Sequence, residues 1–255
     1  RAVVLFGGYR MGVGSYDDTW EWDGSTWTAR SPSSRPSARG RHALAYDTAR
    51  GRVVLFGGYD PALGNYNDTW EWDGANWIER FPAVRPPVRN SHALVYDAAR
   101  GRVLLFGGKN FTDYDDTWEW DGTNWTQLIP TTRPPARSGH ALAYDAARGR
   151  VVLFGGEQTC FGCGRLADTW EWDGTNWTQR RPAVSPSLRM GHALTYDAAR
   201  SRVVLFGGRD VGPSGGASDD TWEWDGTNWT ERFPATRPDA RGWYGLTYDL
   251  ARTRV

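Results

Sequence analysis

Several things are scarce in this chain of 255 residues. Lys109 is the only lysine; the other basic residues are arginines. Together they number 30 and are matched by 30 acidic residues, so no net field draws nucleic acid or an anionic membrane. No apolar run approaches the roughly 20 residues that a membrane span needs. No stretch of ten residues has helical periodicity, which leaves an all-β chain. Gly-x-Ser-x-Gly, a phosphate loop and an isolated Ser/His/Asp set are all missing, so no catalytic motif presents itself. The two cysteines, Cys160 and Cys163, share one loop. As a C-x-x-C pair they are half of a tetrahedral zinc set with no second half, and no helix start lies beside them for redox use. A local disulfide is expected, which favours an oxidising compartment and a secreted or cell-surface location. The chain lacks an initiating Met and a signal peptide, so a mature or trimmed fragment is expected.

What is abundant is tryptophan, with 16 residues, 15 of them in a repeat. Asp-Thr-Trp-Glu-Trp-Asp-Gly occurs unchanged at Asp18, Asp68, Asp116, Asp168 and Asp220, followed each time by one more Trp (Trp27, Trp77, Trp125, Trp177, Trp229). A Phe-Gly-Gly precedes each copy, its first glycine at 7, 57, 107, 155 and 207, a period of about 50 residues. Each unit predicts four strands. In the unit from Arg137 these are His140 to Tyr144, Arg150 to Phe154, Thr169 to Trp172, and Trp177 to Gln179. Trp170 and Trp172, two apart, share a face. Asp173-Gly174 turns the chain as hairpins do.

The paired glycines after an apolar strand, the aromatic strand, the Trp after the next turn and the Arg-x-x-His before the first strand resemble the bacterial-type kelch repeats. The resemblance covers the whole chain as a single domain. It implies a β-propeller of four-stranded antiparallel blades with the His-bearing strand innermost. The chain starts in a second strand (Ala2 to Phe6) and ends with a first strand (Tyr244 to Tyr248). Pairing these two closes a five-bladed ring, expected as a monomer, and removes its free edges. Arg252 to Val255 then duplicates what Arg1 to Val3 already supplies, so a fragment of a longer array is the other reading.

Turns between the first and second strands, and between the third and fourth, are nearly constant. Loops between the second and third strands differ in length and chemistry, and they share the opposite face with the Pro-rich connections. That variable face is the candidate binding face. One Arg precedes every inner strand (Arg39, Arg89, Arg137, Arg189, Arg241). By the family resemblance these form a carboxylate-binding rim for an acidic peptide; alternatively each pairs with a blade Asp such as Asp116 or Asp168. The four histidines, His42, His92, His140 and His192, occupy one repeat position, with Tyr244 at the fifth. They form a transition-metal site only if they converge; on inner strands they are expected to point between blades. Tyr9, Tyr16, Tyr59, Tyr66, Phe111, Tyr114 and Phe161 put aromatic surface in the variable loops, as sugar stacking needs.

The leading expectation is a non-enzymatic scaffold, without cofactor, that binds a protein or peptide through the variable face. A lectin, a metal-dependent enzyme using the histidines, and an engineered or recently amplified repeat without an evolved ligand are the alternatives. Fold alone does not choose among them.

Overall fold

The computed structural model describes residues 2–159, 164–210, 216–248 and 255. The chain is an all-β propeller of five antiparallel blades in a ring, with no helix among the described residues. Blade 1 holds Val3–Arg10, Gly14–Trp22 and Trp27–Arg30. Blade 2 holds Ala43–Asp47, Arg52–Phe56, Thr69–Trp72 and Trp77–Arg80. Blade 3 holds Ala93–Asp97, Arg102–Phe106, Thr117–Trp120 and Trp125–Leu128. Blade 4 holds Ala141–Asp145, Arg150–Phe154, Thr169–Trp172 and Trp177–Arg180. Blade 5 holds Ala193–Asp197, Arg202–Asp210, Ala217–Trp224 and Trp229–Arg232. The four strands predicted for the unit from Arg137 stand within a residue of these bounds, because β-branched runs bounded by Gly and Asp-Gly leave little freedom at their ends, whereas the strand predicted as Ala2 to Phe6 runs on to Arg10.

Blades meet through a repeated aromatic joint. The Phe of each Phe-Gly-Gly in blades 1 to 4 meets the Trp that opens the outer strand of the following blade: Phe6–Trp77, Phe56–Trp125, Phe106–Trp177 and Phe154–Trp229, with ring centroids 5.1 to 5.3 Å apart. The indole N–H of that Trp donates across the joint to the preceding blade's Thr: Trp77 to Thr19, Trp125 to Thr69, Trp177 to Thr117 and Trp229 to Thr169, at 2.9 to 3.0 Å. Four apolar clusters follow, one per joint. A buried Trp joined this way contributes both area and a satisfied donor, which fixes the register between neighbours.

The Phe-Gly-Gly pair lets the joint close. Gly107 has φ +62°, and a Cβ there would stand 2.7 Å from the Arg137 carbonyl of the next blade. A Cβ on Gly108 would stand 2.6 Å from the His92 Cβ. Only glycine fits both the conformation and the space.

At the hub, the residue before each His, and before Tyr244 at the fifth position, takes a left-handed conformation: Arg41, Ser91, Gly139, Gly191 and Trp243, with φ from 54° to 67°. Their amides form a string. Ser91 donates to the Arg41 carbonyl, Gly139 to Ser91, Gly191 to Gly139 and Trp243 to Gly191, at 2.7 to 2.9 Å. Tyr244 to Tyr248, expected as a closing strand, follows blade 5 but carries no strand pairing among the described residues.

Candidate functional site

The two constant turns lie on one face. Arg50, Arg100 and Arg148 in the first of these turns reach over the Asp-Gly turns of the following blades, at Gly122, Gly174 and Gly226. The variable loops share the opposite face.

The arginines before the inner strands do not form an open rim. Arg39, Arg89, Arg137 and Arg189 are 0–1% exposed. Each grips a carboxylate with both terminal nitrogens: Arg39 with Asp68, Arg89 with Asp116, Arg137 with Asp168 and Arg189 with Asp220, at 2.5 to 2.8 Å. A terminal nitrogen of each also donates to the first glycine carbonyl of its own blade (Gly57, Gly107, Gly155, Gly207). The pair therefore ties the start of the inner strand to the start of the third strand within one blade. The backbone N–H of the same Arg reaches back to the preceding blade's loop, as from Arg39 to the Tyr16 carbonyl at 3.0 Å. Burial pushes the Asp168 and Asp220 carboxyls up, but the bonds and charge of Arg137 and Arg189, with the Trp170 and Trp222 N–H bonds, together hold them below their ordinary range. Arg241, the fifth, is exposed, and among the described residues its side chain bonds through Nε to the Asp239 carbonyl.

The histidines do not converge. Each ring stands edge-on to the Phe of the preceding blade: His42 on Phe6, His92 on Phe56, His140 on Phe106 and His192 on Phe154, with centroids 5.5 to 5.6 Å apart. Burial, with the neighbouring arginine adding to it, lowers His42 to about 4 and His140 and His192 to about 3; His92 moves the same way. Neutral imidazoles wedged between blades are packing groups. No cluster of three or more potential metal ligands exists among the described residues.

The loop aromatics divide. Arg39 stacks on the Tyr66 ring at 3.8 Å and Arg89 on Tyr114 at 4.3 Å, so these two faces are covered. Tyr59 lies under Arg41, and Tyr16 is half-buried. Tyr9 and Phe111 remain open to solvent. Phe161, Cys160 and Cys163 lie outside the described residues.

Sequence reasoning did not find the apolar tips beside them. Met11 is 85% exposed and Leu63 72%, and Val13 is also exposed. Hairpins carry these tips: Val3–Arg10 with Gly14–Trp22 in blade 1, and Tyr59–Asp60 with Gly64–Asn65 in blade 2. Side chains stitch neighbouring loops together. Asn65 donates to Asn110 at 2.6 Å, Asn90 donates to Asn65 at 2.7 Å, and Lys109 pairs with Glu157 at 3.1 Å. Thr159 donates its backbone N–H to Asp113. Among the described residues, bonds therefore link the variable loops of blades 2, 3 and 4, and the apolar tips of blades 1 to 3 stand up to solvent on the same face. Set against known protein families and characterised proteins, the chain matches none.

Proposed function

We propose that this propeller is of the kelch type and is a non-enzymatic scaffold that binds a protein or peptide through its variable-loop face. The observation that carries this reading is the set of exposed apolar tips, Tyr9, Met11, Val13, Leu63 and Phe111, spread over the loops of blades 1 to 3. Solvent-facing Met, Leu and Phe on a rigid support are a surface awaiting a partner, since a monomer gains nothing by exposing them together. The paired glycines, the Arg-x-x-His motif and the Trp joints support the kelch assignment.

The partner's chemistry follows from what is free. The inner-strand arginines other than Arg241 are spent on internal carboxylates, so an acidic peptide has no rim to grip. An apolar or aromatic segment fits better. Two of the seven aromatics proposed for sugar stacking are covered by guanidinium groups, which weakens the lectin reading. The histidines are consumed in packing, which weakens the metal-enzyme reading.

Panning a random peptide library on the immobilised propeller tests this. Apolar-rich peptides should be enriched, and their binding should be lost in a Met11→Ser, Leu63→Ser, Phe111→Ser triple variant. Thr123→Ala on the constant-turn face should leave binding intact. Enrichment that survives the triple variant, or glycan-array hits with no peptide binding, would sink the proposal.

A further inference from the structure

The third strand of each blade carries one glutamate, and in four blades a guanidinium from the outer strand holds it. In blade 2, Nε and a terminal nitrogen of Arg80 both bond one oxygen of Glu71, at 2.9 and 2.8 Å. The other oxygen accepts the Trp120 indole N–H of the next blade at 2.9 Å. Blades 1 and 4 repeat both halves, with Arg30 and Trp72 on Glu21, and Arg180 and Trp224 on Glu171. Glu71 and Glu223 hold a second guanidinium as well, from Arg50 and Arg200 of the constant turns.

Blade 3 keeps the glutamate and loses both guanidiniums. Leu128 stands where the other blades have the outer-strand Arg, with Thr117 across from it. Arg100 of the turn bonds Asp97 and the Asp173 carbonyl instead. Half-buried Glu119 therefore makes no hydrogen bond or ion pair among the described residues. Burial first, then the Asp97 charge, raises its pKa, and Arg102 and Arg100 oppose them without bonding it. The Trp172 indole N–H of blade 4, whose equivalents donate to Glu21, Glu71 and Glu171, is buried without an acceptor. The repeat directs both groups to one place, at the rim of the joint between blades 3 and 4. That place is within reach of solvent: the side chains that fill it elsewhere, Arg30, Arg80, Arg180 and Arg232, are 35–51% exposed.

We propose that this seat binds an arginine side chain of a partner protein, with Glu119 gripping the guanidinium and Trp172 donating to the oxygen left over. The chemistry selects the occupant. A guanidinium edge gives two N–H groups to one carboxylate oxygen and leaves the second oxygen to the indole, as Arg80 does on Glu71. An ammonium is a point charge and has no such edge. Binding removes two costs together, an unpaired half-buried carboxylate and a buried N–H without an acceptor. The outer strand Trp125–Leu128 is the free edge of its sheet, with Thr126 and Gln127 exposed, so an extended peptide can lie along it and deliver the side chain. The seat shares no residue with the apolar tips of the variable face and does not depend on them.

Nuclear magnetic resonance of the Trp172 indole N–H tests this. Titration with a blocked peptide, Thr-Val-Arg-Val-Thr, should move that resonance downfield and saturate, as the donor gains its acceptor. The same peptide with citrulline, which keeps the shape and lacks the charge, should not move it. The lysine peptide and free arginine should each bind roughly tenfold more weakly or worse. Glu119→Gln should abolish the response. Leu128→Arg fills the seat from within, so its Trp172 resonance should already lie downfield and should ignore the peptide. The Met11→Ser, Leu63→Ser, Phe111→Ser variant should respond like the wild type, which separates this site from the variable face. A Trp172 resonance unmoved by the arginine peptide, moved equally by the citrulline peptide, or still responsive in Leu128→Arg or Glu119→Gln overturns the proposal. So does free arginine binding as tightly as the peptide, which would make the ligand a small molecule, or loss of the response in the variable-face variant.

Discussion

A guanidinium that is 0% exposed, as at Arg89, is tolerable because every polar direction around it is filled: a carboxylate, two carbonyls and the Tyr114 ring. Removing one partner from such a group leaves a buried charge behind, which is why the motif recurs unchanged wherever a blade has both strands to join. The histidines follow the opposite logic. They are buried neutral, so the folded chain resists protonating them while the unfolded chain takes a proton near the ordinary value of 6.5. A group whose folded pKa is depressed contributes stability that is present above the unfolded value and lost as pH falls towards the folded one. Melting temperature should therefore be flat above about pH 7 and fall between 6.5 and about 3 to 4. Each histidine contributes about 1.4 kcal/mol per pH unit through that window. His140→Phe should make the fall measurably shallower; an unchanged slope would show that His140 titrates normally.

At the scale of the element, the third and outer strands share a Glu–Arg clamp. Glu21, Glu71, Glu171 and Glu223 each accept from the Arg diagonally across on the outer strand: Arg30, Arg80, Arg180 and Arg232, at 2.8 to 2.9 Å. The other oxygen of three of these carboxylates accepts a Trp N–H from the next blade: Trp72 to Glu21, Trp120 to Glu71 and Trp224 to Glu171. Blade 3 breaks the pattern, because Leu128 replaces the Arg. Glu119 then loses its clamp and burial raises its pKa, while the buried Trp172 N–H has no acceptor. Leu128→Arg should restore both bonds and raise the denaturant midpoint, by about 1 kcal/mol of stability. A midpoint unchanged or lowered would mean that the apolar contacts of Leu128 outweigh the clamp. Most of the element-level plan was legible from the repeats: four strands per unit, the Trp faces, histidines between blades, and an Arg that pairs with Asp116 or Asp168. Which blade each pair would belong to was not, since Arg39 and Asp68 lie 29 residues apart with a whole hairpin between them. The linkage between loops was hidden for a different reason. Asn65–Asn110 and Lys109–Glu157 join loops of unequal length, and no periodicity relates such residues.

For the whole molecule, stability is a sum of blade terms and joint terms. Blades 2, 3 and 4 are covered on both faces, and blade 1 on only one. Amide hydrogen exchange should therefore be fastest in Val3–Arg10 and slowest in Arg102–Phe106 and Arg150–Phe154, each buried at both joints. Uniform protection across these strands would show instead that the blades open together. The string of amides at the hub has one further consequence. Every bond in it links a blade only to its neighbour, and all run in the same sense, donor to the later blade and acceptor to the earlier. Such a thread carries direction but no number. It tells each blade which side its successor takes and never how many there are to be. A blade can thus be duplicated or excised as a unit without disturbing the rule by which the others are joined, which suits a chain whose units have stayed so nearly identical.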